Sequence, residues 1–310
     1  MNKAFVLGAG LGTRLQPLTH QLPKPLIPVF HRPLIEHAFD HLRAAGVQEF
    51  VVNTHHLPHQ YEAAFPEDAY GNSKITFRHE PILLETAGGI ANIADLVSDA
   101  PFLIYNGDIL TNLPLAPLIE EHQKGENMIT LVLRSKGPAQ HIAFDETSGL
   151  VTDIRNKLGT GNFGTHQFTG VYAVSPSFLE HLTPGKIESV IPVWLKLLQE
   201  GNVRIGGVVV DDGDWWDLGD RESYLDAHRA WVENGMAAQT SAISPDAKID
   251  ASAILRGLNV ISAGAEVGVD AILEDCILWP NAHVSAGAKL SRCIVRSGMT
   301  AAGELKGVDV

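Results

Sequence analysis

Ala4-Phe5-Val6-Leu7 is an unbroken apolar run stopped by glycine, the pattern of a strand buried on both faces of a parallel sheet. Downstream, Pro33 to Ala45 carries Leu34, His37, Ala38, His41 and Leu42 at helical spacing and ends at Gly46. The runs Phe50–Asn53 and Ile75–Phe77 read as strands, and Thr86–Val97 reads as a helix opened by Thr86 and two glycines. Phe102–Tyr105 is another buried strand, followed by a helix near Leu115–His122 and a strand at Ile129–Leu133. This alternation to about residue 230 predicts an α/β fold, with a mostly parallel sheet and helices on both faces. Ligands of such sheets lie beyond the carboxyl ends of the strands, where Gly8–Gly12 and Asn106-Gly107-Asp108 both fall.

After Trp231 the period changes to six. Ile243, Ile249, Leu255, Ile261, Val267 and Leu273 recur in register, and the spacing resumes at Leu278, Val284 and Leu290. Small residues stand two positions earlier at Ala247, Ala253, Ala265, Ala271, Ala282 and Ala288, with Asn259 the exception. The repeat resembles the hexapeptide left-handed β-helix, whose aliphatic side chains stack inside a triangular coil. About three coils need capping by the rest of the chain or by a partner subunit, so a homo-oligomer formed through the β-helix is expected. The predicted organisation is a domain over 1–231, a linker over 232–240 and the β-helix over 241–310.

Composition narrows the partners. The formal charge is −13 with no Lys/Arg cluster, which argues against nucleic acid and against an anionic membrane surface. No apolar stretch approaches the roughly 18 residues that span a bilayer, and the N-terminus has no signal-peptide pattern. A cytoplasmic protein is expected. Cys276 and Cys293 lie within apolar repeats and read as reduced packing residues.

The densest chemistry is the order Gly8-Ala9-Gly10-Leu11-Gly12-Thr13-Arg14, then nine residues, then Lys24-Pro25-Leu26. Glycines let backbone N–H groups approach an anion with no Cβ in the way. Thr13 adds a hydroxyl, Arg14 a planar fork for phosphate oxygens, and Lys24 a charge framed by Pro23 and Pro25. A dinucleotide fingerprint would want glycine at Thr13 and an acidic residue roughly 20 positions on; Pro28, Val29 and Phe30 supply none. A P-loop would end in Gly-Lys-Ser/Thr, which Gly12-Thr13-Arg14 is not.

Gly8 to Arg14 followed by Pro23-Lys24-Pro25 resembles the signature of the sugar-1-phosphate nucleotidyltransferases, the nucleotide-sugar pyrophosphorylases, over most of the first 230 residues. The resemblance implies a Rossmann-like catalytic domain that joins a nucleoside triphosphate to a sugar 1-phosphate and releases pyrophosphate. It implies Mg²⁺ held by Asp108, in Asn-x-Asp, and Asp217, in Trp-x-Asp-x-Gly. Arg14 would then stabilise the departing pyrophosphate and Lys24 the α-phosphate, making these four the expected catalytic residues. Leu7, Gly8, Ala9, Gly10, Gly12, Thr13, Arg14, Lys24, Thr86, Gly88 and Asn106 would bind the nucleotide. Thr169, Gly170 and Lys157 would meet the sugar.

The chain departs from the family pattern in three places. Glu85 replaces the glycine of Gly-Thr-Ala-Gly, Phe168 replaces the asparagine of Asn-x-Gly-Val-Tyr, and Asn156-Lys157-Leu158 stands for Glu-Lys-Pro. Glu-Thr-x-Gly-Gly and Phe-Thr-Gly also occur in the branch that uridylylates N-acetylmuramate 1-phosphate, whereas a β-helix is commoner in mannose-1-phosphate guanylyltransferases. Both substrate pairs therefore stay open. Thr86 is also a natural helix N-cap. His55-His56-x-x-His59 lacks an accompanying carboxylate or thiol at ligand spacing and reads as a surface cluster. A bifunctional acyltransferase using His283, or a nucleotide-sugar-binding homologue without turnover, are the alternatives. The first has few coils to hold a coenzyme, and the second is disfavoured by the presence of Arg14, Lys24, Asp108 and Asp217.

Overall fold

The computed structural model describes residues 1–234 and 241–310. Its contacts divide the chain into two compact units. The first comprises Met1–Leu11 and Ile35–Trp216, the second Gly12–Leu34 and Asp217–Val310. The glycine signature is thus shared out: Gly8–Leu11 belongs to one unit and Gly12–Lys24 to the other.

The first unit is built on a ten-stranded sheet. Its strands in chain order are β1 (Lys3–Leu7), β2 (Glu49–Thr54), β3 (Ala69–Tyr70), β4 (Ser73–His79), β5 (Phe102–Asn106), β6 (Ile129–Arg134), β7 (Gln140–Asp145), β8 (Leu150–Ile154), β9 (His166–Val174) and β10 (Ile205–Val209). Their spatial order is β7-β8-β10-β6-β9-β5-β1-β2-β4-β3. The α/β architecture is the expected one, and the sheet is mixed. Pairings β5–β1, β1–β2 and β2–β4 are parallel, while β9 runs antiparallel to both β5 and β6. Parallel strands need a helical crossover, and β9 escapes that by returning from the β7–β8 hairpin.

The core follows the apolar runs. Phe5, Ile104, Leu131, Tyr172 and Trp194 are buried in one cluster, each large side chain contributing about 1.5–3 kcal/mol on burial. Helix α1 (Leu34–Ala44) stops where Gly46 takes a φ of 91°, a backbone turn that a β-carbon would strain. The helix expected over 86–97 comes in two pieces, α2 (Glu85–Asn92) and α3 (Ala94–Val97), broken at Ile93.

The second unit combines helix α4 (Arg221–Glu233) with three parallel strand stacks. One stack is Lys248–Ile249, Glu266–Val267, His283–Val284 and Thr300–Ala301, whose starts are 18, 17 and 17 residues apart. Three faces of six residues give the first step and the other two are one residue short of it, and Ala265, Ala271, Ala282 and Ala288 are fully buried beside the stacked aliphatics. This is the left-handed β-helix pattern anticipated from the period of six. Helix α4 extends through the first two residues of the expected linker, and 235–240 lie outside the described residues.

Gly12–Leu34 has little regular structure of its own. It makes three short 3-10 turns and a two-residue-strand hairpin, Pro28–Val29 with Arg32–Pro33. What holds it is side-chain bonding from the rest of its unit. Arg296 Nη1 donates to Pro17 O at 3.3 Å, and Gln21 Nε2 donates to Ser297 O at 3.1 Å. The Tyr224 hydroxyl donates to Pro28 O and is itself met by the Trp279 indole N–H at 3.2 Å. Buried His228 accepts from Phe30 N–H at 3.0 Å through Nε2 and lies 2.8 Å from Tyr224 O through Nδ1, which fixes its neutral tautomer.

Candidate active site

Within the first unit, the in-register pairing of Leu7 with Asn106 brings the turn after β1 level with the turn after β5. Gly107 N–H then closes on Leu7 O at 3.0 Å. Gly8 cannot be replaced here. A β-carbon would stand 2.6 Å from Asn53 O, and its N–H already donates to Asn53 Oδ1 at 2.7 Å. The Tyr61 hydroxyl donates to Gly8 O at 2.9 Å, and burial pushes that phenol's pKa up, keeping the proton on it. Ala9 is buried, whereas Gly10 is exposed and meets nothing within 4 Å of an added β-carbon. The loop is therefore clamped at its root and open at its tip.

Asp108 is half-buried between two fully apolar strand segments. Beyond it, Thr111 Oγ1 donates to Asp214 O at 2.6 Å and Asp214 N–H to Asn112 Oδ1 at 2.6 Å. Asn106 packs under Gly170, whose φ is 85° and whose β-carbon would lie 2.7 Å from the Asn106 amide nitrogen. Asn106 and Gly170, assigned from sequence to different ligands, are in contact. Thr169 is fully buried; its hydroxyl donates to Val132 O at 2.9 Å and its carbonyl accepts the Trp215 indole N–H at 2.7 Å. Phe168 turns inward against Tyr172 and Trp194, with ring centroids 5.6 and 5.5 Å away.

Thr86 does not cap its own helix. The N-cap position of α2 is Leu84, and the Thr86 hydroxyl instead accepts Val190 N–H at 2.7 Å, joining α2 to the helix Val190–Glu200. Gly88 is pressed against the same segment, since a β-carbon would approach Lys186 O to 2.3 Å. Lys157 is exposed on a loop organised by the buried carboxylate of Asp153. That group accepts from the N–H groups of Ile154, Leu158 and Thr160 and from the Thr160 hydroxyl. Burial raises its pKa, and those four donors outweigh the burial and hold it below the usual carboxylate range.

The second unit assembles the charged residues. Lys24 is buried, with Nζ 3.7 Å from the half-exposed Asp217 carboxylate. Arg14 is exposed, and its guanidinium occupies the space a β-carbon at Gly219 would need, at 2.8 Å. Asp220 opens α4 in a capping box with Ser223, and the Ser223 N–H, with Arg14's charge beside it, holds that carboxyl below its ordinary range. Gly12 needs its φ of 61°; a β-carbon would strike Thr19, whose hydroxyl donates to Gly12 O at 3.1 Å. Arg14, Lys24, Asp217, Gly219 and Asp220 thus form one cluster, with cations and carboxylates balanced around a glycine gap.

The nucleotidyl transferase family model matches residues 3–234. The chain belongs to the nucleotidyl transferase family. Mannose-1-phosphate guanylyltransferase of Mycobacterium tuberculosis is 29% identical over 302 residues, covering 93% of this chain and 83% of that enzyme. N-acetylmuramate alpha-1-phosphate uridylyltransferase of Neisseria meningitidis is 32% identical over 219 residues, covering 70% of this chain and 93% of that enzyme. HddC from Yersinia pseudotuberculosis, solved with GMP-PN, superposes with a TM-score of 0.61 at 22% identity, covering 74% of this chain and all of that one.

Some of the nucleotidyltransferase's polar framework escaped the sequence reading. Asn53, Glu80, Tyr61, Asp153 and Asp214 each bond a segment that carries a candidate residue. Only Asp153 carried a local signal, an acid near a strand end with the turn-forming run Asn156-Lys157-Leu158-Gly159-Thr160 three residues on. His55 is spent on Glu80 O at 2.8 Å, and among the described residues no three His, Cys, Asp or Glu side chains form a metal-binding group. His283 forms a surface ladder with Glu266 and Lys248. Among the described residues no helix is long and apolar enough to cross a membrane.

Proposed function

We propose that the chain is a sugar-1-phosphate nucleotidyltransferase, converting a nucleoside triphosphate and a sugar 1-phosphate into a nucleotide sugar and pyrophosphate. The observation that carries this is the cluster of Arg14 and Lys24, on the segment that continues the glycine turn, with Asp217. A buried lysine, an exposed arginine and flanking carboxylates suit a reaction between two polyanions. A phosphate oxygen of the sugar 1-phosphate attacks the α-phosphorus in line, the bond from that phosphorus to the α,β-bridging oxygen breaks, and pyrophosphate leaves with its charge. Lys24 faces the α-phosphate and Arg14 the departing pyrophosphate. Gly8, Ala9, Gly10, Gly12 and Thr13, with Leu7 and Asn106 at their root, hold the triphosphate, Thr86 and Gly88 frame the base, and Thr169, Gly170 and Lys157 bound the sugar.

Asp108 and Asp217 are the metal ligands in this reading. A pair of carboxylates as the donor set suits Mg²⁺, which takes one or two protein oxygens and completes its shell with phosphates and water. When bound, it supplies charge neutralisation between the two phosphates.

GTP with mannose 1-phosphate is the first pair to expect, because similarity to the guanylyltransferases runs through 93–96% of this chain, β-helix included. UTP with N-acetylmuramate 1-phosphate is the second, favoured by Phe168, whose inward packing against Trp194 leaves no amide at that position. The β-helix is proposed to mediate homo-oligomer formation, and the protein to act in the cytoplasm.

The test is pyrophosphate release with Mg²⁺, crossing five nucleoside triphosphates with mannose, glucose, N-acetylglucosamine, N-acetylmuramate and heptose 1-phosphates. Release with one pairing establishes the class and both substrates. Silence across the panel favours the binding homologue. EDTA is expected to stop release and Mg²⁺ to restore it.

A further inference from the structure

Beneath the glycine loop, Asn53 and Glu80 are 2% and 0% exposed. Neither belongs to the catalytic cluster, yet between them they tie the nucleotide-facing parts of the first unit together. Gly8 N–H donates to Asn53 Oδ1 at 2.7 Å, Asn53 Nδ2 donates to Glu80 Oε1 at 2.7 Å, and Leu84 N–H donates to Glu80 Oε2 at 3.0 Å. Leu84 is the N-cap residue of α2, immediately before Glu85 at a φ of 59°. The relay therefore runs from the root of the glycine turn to the start of the helix bearing Thr86 and Gly88. Gly89 roofs it, since a β-carbon there would lie 3.1 Å from both Asn53 Nδ2 and Glu80 Oε1.

A buried carboxyl costs stability unless its oxygens are met. Among the described residues no cation pairs with Glu80, so its two oxygens are matched by one amide and one backbone N–H alone. Such a group is costly for a purely structural link, which a leucine–valine contact would provide more cheaply. What it adds is direction: each hydrogen bond has one donor and one acceptor, so the chain Gly8, Asn53, Glu80, Leu84 has a single consistent arrangement.

We propose that Asn53 and Glu80 are positioning residues that set the glycine turn against the start of α2, and that this setting governs affinity for the nucleoside triphosphate. The inference rests on the reading that both segments face the nucleotide. It separates the two substrates: the triphosphate KM depends on the relay, and the sugar-phosphate KM does not.

The polarity of the relay supplies its test. In Glu80→Gln one acceptor oxygen becomes an NH₂ facing an N–H group. In Asn53→Asp two carboxyl groups face each other. Combining Asn53→Asp with Glu80→Gln restores every bond with the middle one reversed. Gly8 N–H still donates to the side chain at position 53, now a carboxylate, which also accepts from the new amide nitrogen at position 80. Leu84 N–H donates to the amide oxygen at position 80. Steady-state kinetics on the full chain, with melting temperatures alongside, are expected to show the triphosphate KM raised about tenfold or more in each single variant. The sugar-phosphate KM should stay within threefold, and the double variant should return the triphosphate KM to within threefold of wild type. Unchanged triphosphate KM in both single variants, with the wild type active, overturns the positioning role alone. So does a double variant that recovers its melting temperature without recovering KM. A wild type that turns over no triphosphate overturns the underlying reading, and the positioning role with it.

Discussion

The two halves of the glycine signature are held by different physics. Gly8–Leu11 leaves the middle of a ten-stranded sheet, with parallel ladders on both sides of β1. Gly12–Leu34 has turns and one small hairpin, and depends on individual side-chain bonds to α4 and the β-helix. Ladder bonding is distributed, so no one side chain decides where β1 lies; Asn53 and Tyr61 act only on the Gly8 turn at its end. Carbonyl-by-carbonyl bonding is concentrated, and a single substitution can release it. Arg14 and Lys24, the cations proposed to meet the phosphates, sit in the concentrated half.

The sharpest way to break this contrast is at Lys24. Lys24→Met removes a buried cation 3.7 Å from Asp217 while keeping the volume. Turnover should fall by about 10²–10³, the loss typical of one transition-state charge contact, with the melting temperature nearly unchanged. A melting temperature that drops in step with activity would make Lys24 a structural residue. Arg14→Ala should lose a comparable factor, about 2.7–4 kcal/mol of transition-state stabilisation.

Acid should expose the sheet unit before the β-helix. His122 is buried, with ring nitrogens on Thr130 and Ser175 hydroxyls at 2.9 and 3.2 Å, and burial lowers its pKa from 6.5 to about 4. The unfolded chain therefore takes up a proton that the folded one refuses between those values. Stability is fully present above about pH 6.5 and falls toward pH 4, by about 3 kcal/mol at 1.36 kcal/mol per pKa unit. Hydrogen exchange at pH 4.5 should show β6 and β9 opening earlier than the β-helix strands, and His122→Gln should flatten the dependence.

Smaller effects probe the concentrated half. Tyr224→Phe leaves the Pro28 carbonyl and the Trp279 indole without their shared hydroxyl, and should cost about 1–3 kcal/mol of unfolding free energy. Arg296→Ala, losing the partly buried bonds to Pro17 O and Val310 O, should cost about 1–2 kcal/mol. Under the distributed alternative both would be silent, which denaturant unfolding would reveal.

What the sequence made legible is local or periodic. Ala4–Leu7 ending in glycine announced the central strand, and the period of six announced the stacked coils. Asp108 drew attention as a carboxylate just after an apolar strand, and the structure leaves it half-buried there. The rest depends on distant partners. Nothing around Asn53 or Glu80 signals that they bond each other under Gly89, because their partners are set by parallel register between β2 and β4. Thr86 has the right chemistry for a cap, but the tertiary approach of Val190 takes its hydroxyl. The division of the signature at Gly12 was invisible for the same reason: the side chains that hold the second half are Tyr224, His228, Trp279 and Arg296.

That division has a consequence for how the enzyme is made. Pro17 and Gln21 bond residues 279 and 276 positions later, so during synthesis the Gly12–Leu34 segment is made long before the residues that hold it. At about 5–20 residues per second that segment waits roughly 14–55 s for its partners. Until then the Gly12–Leu34 segment lacks those bonds, and nascent chains should stay catalytically silent until Arg296 and Ser297 have cleared the exit tunnel.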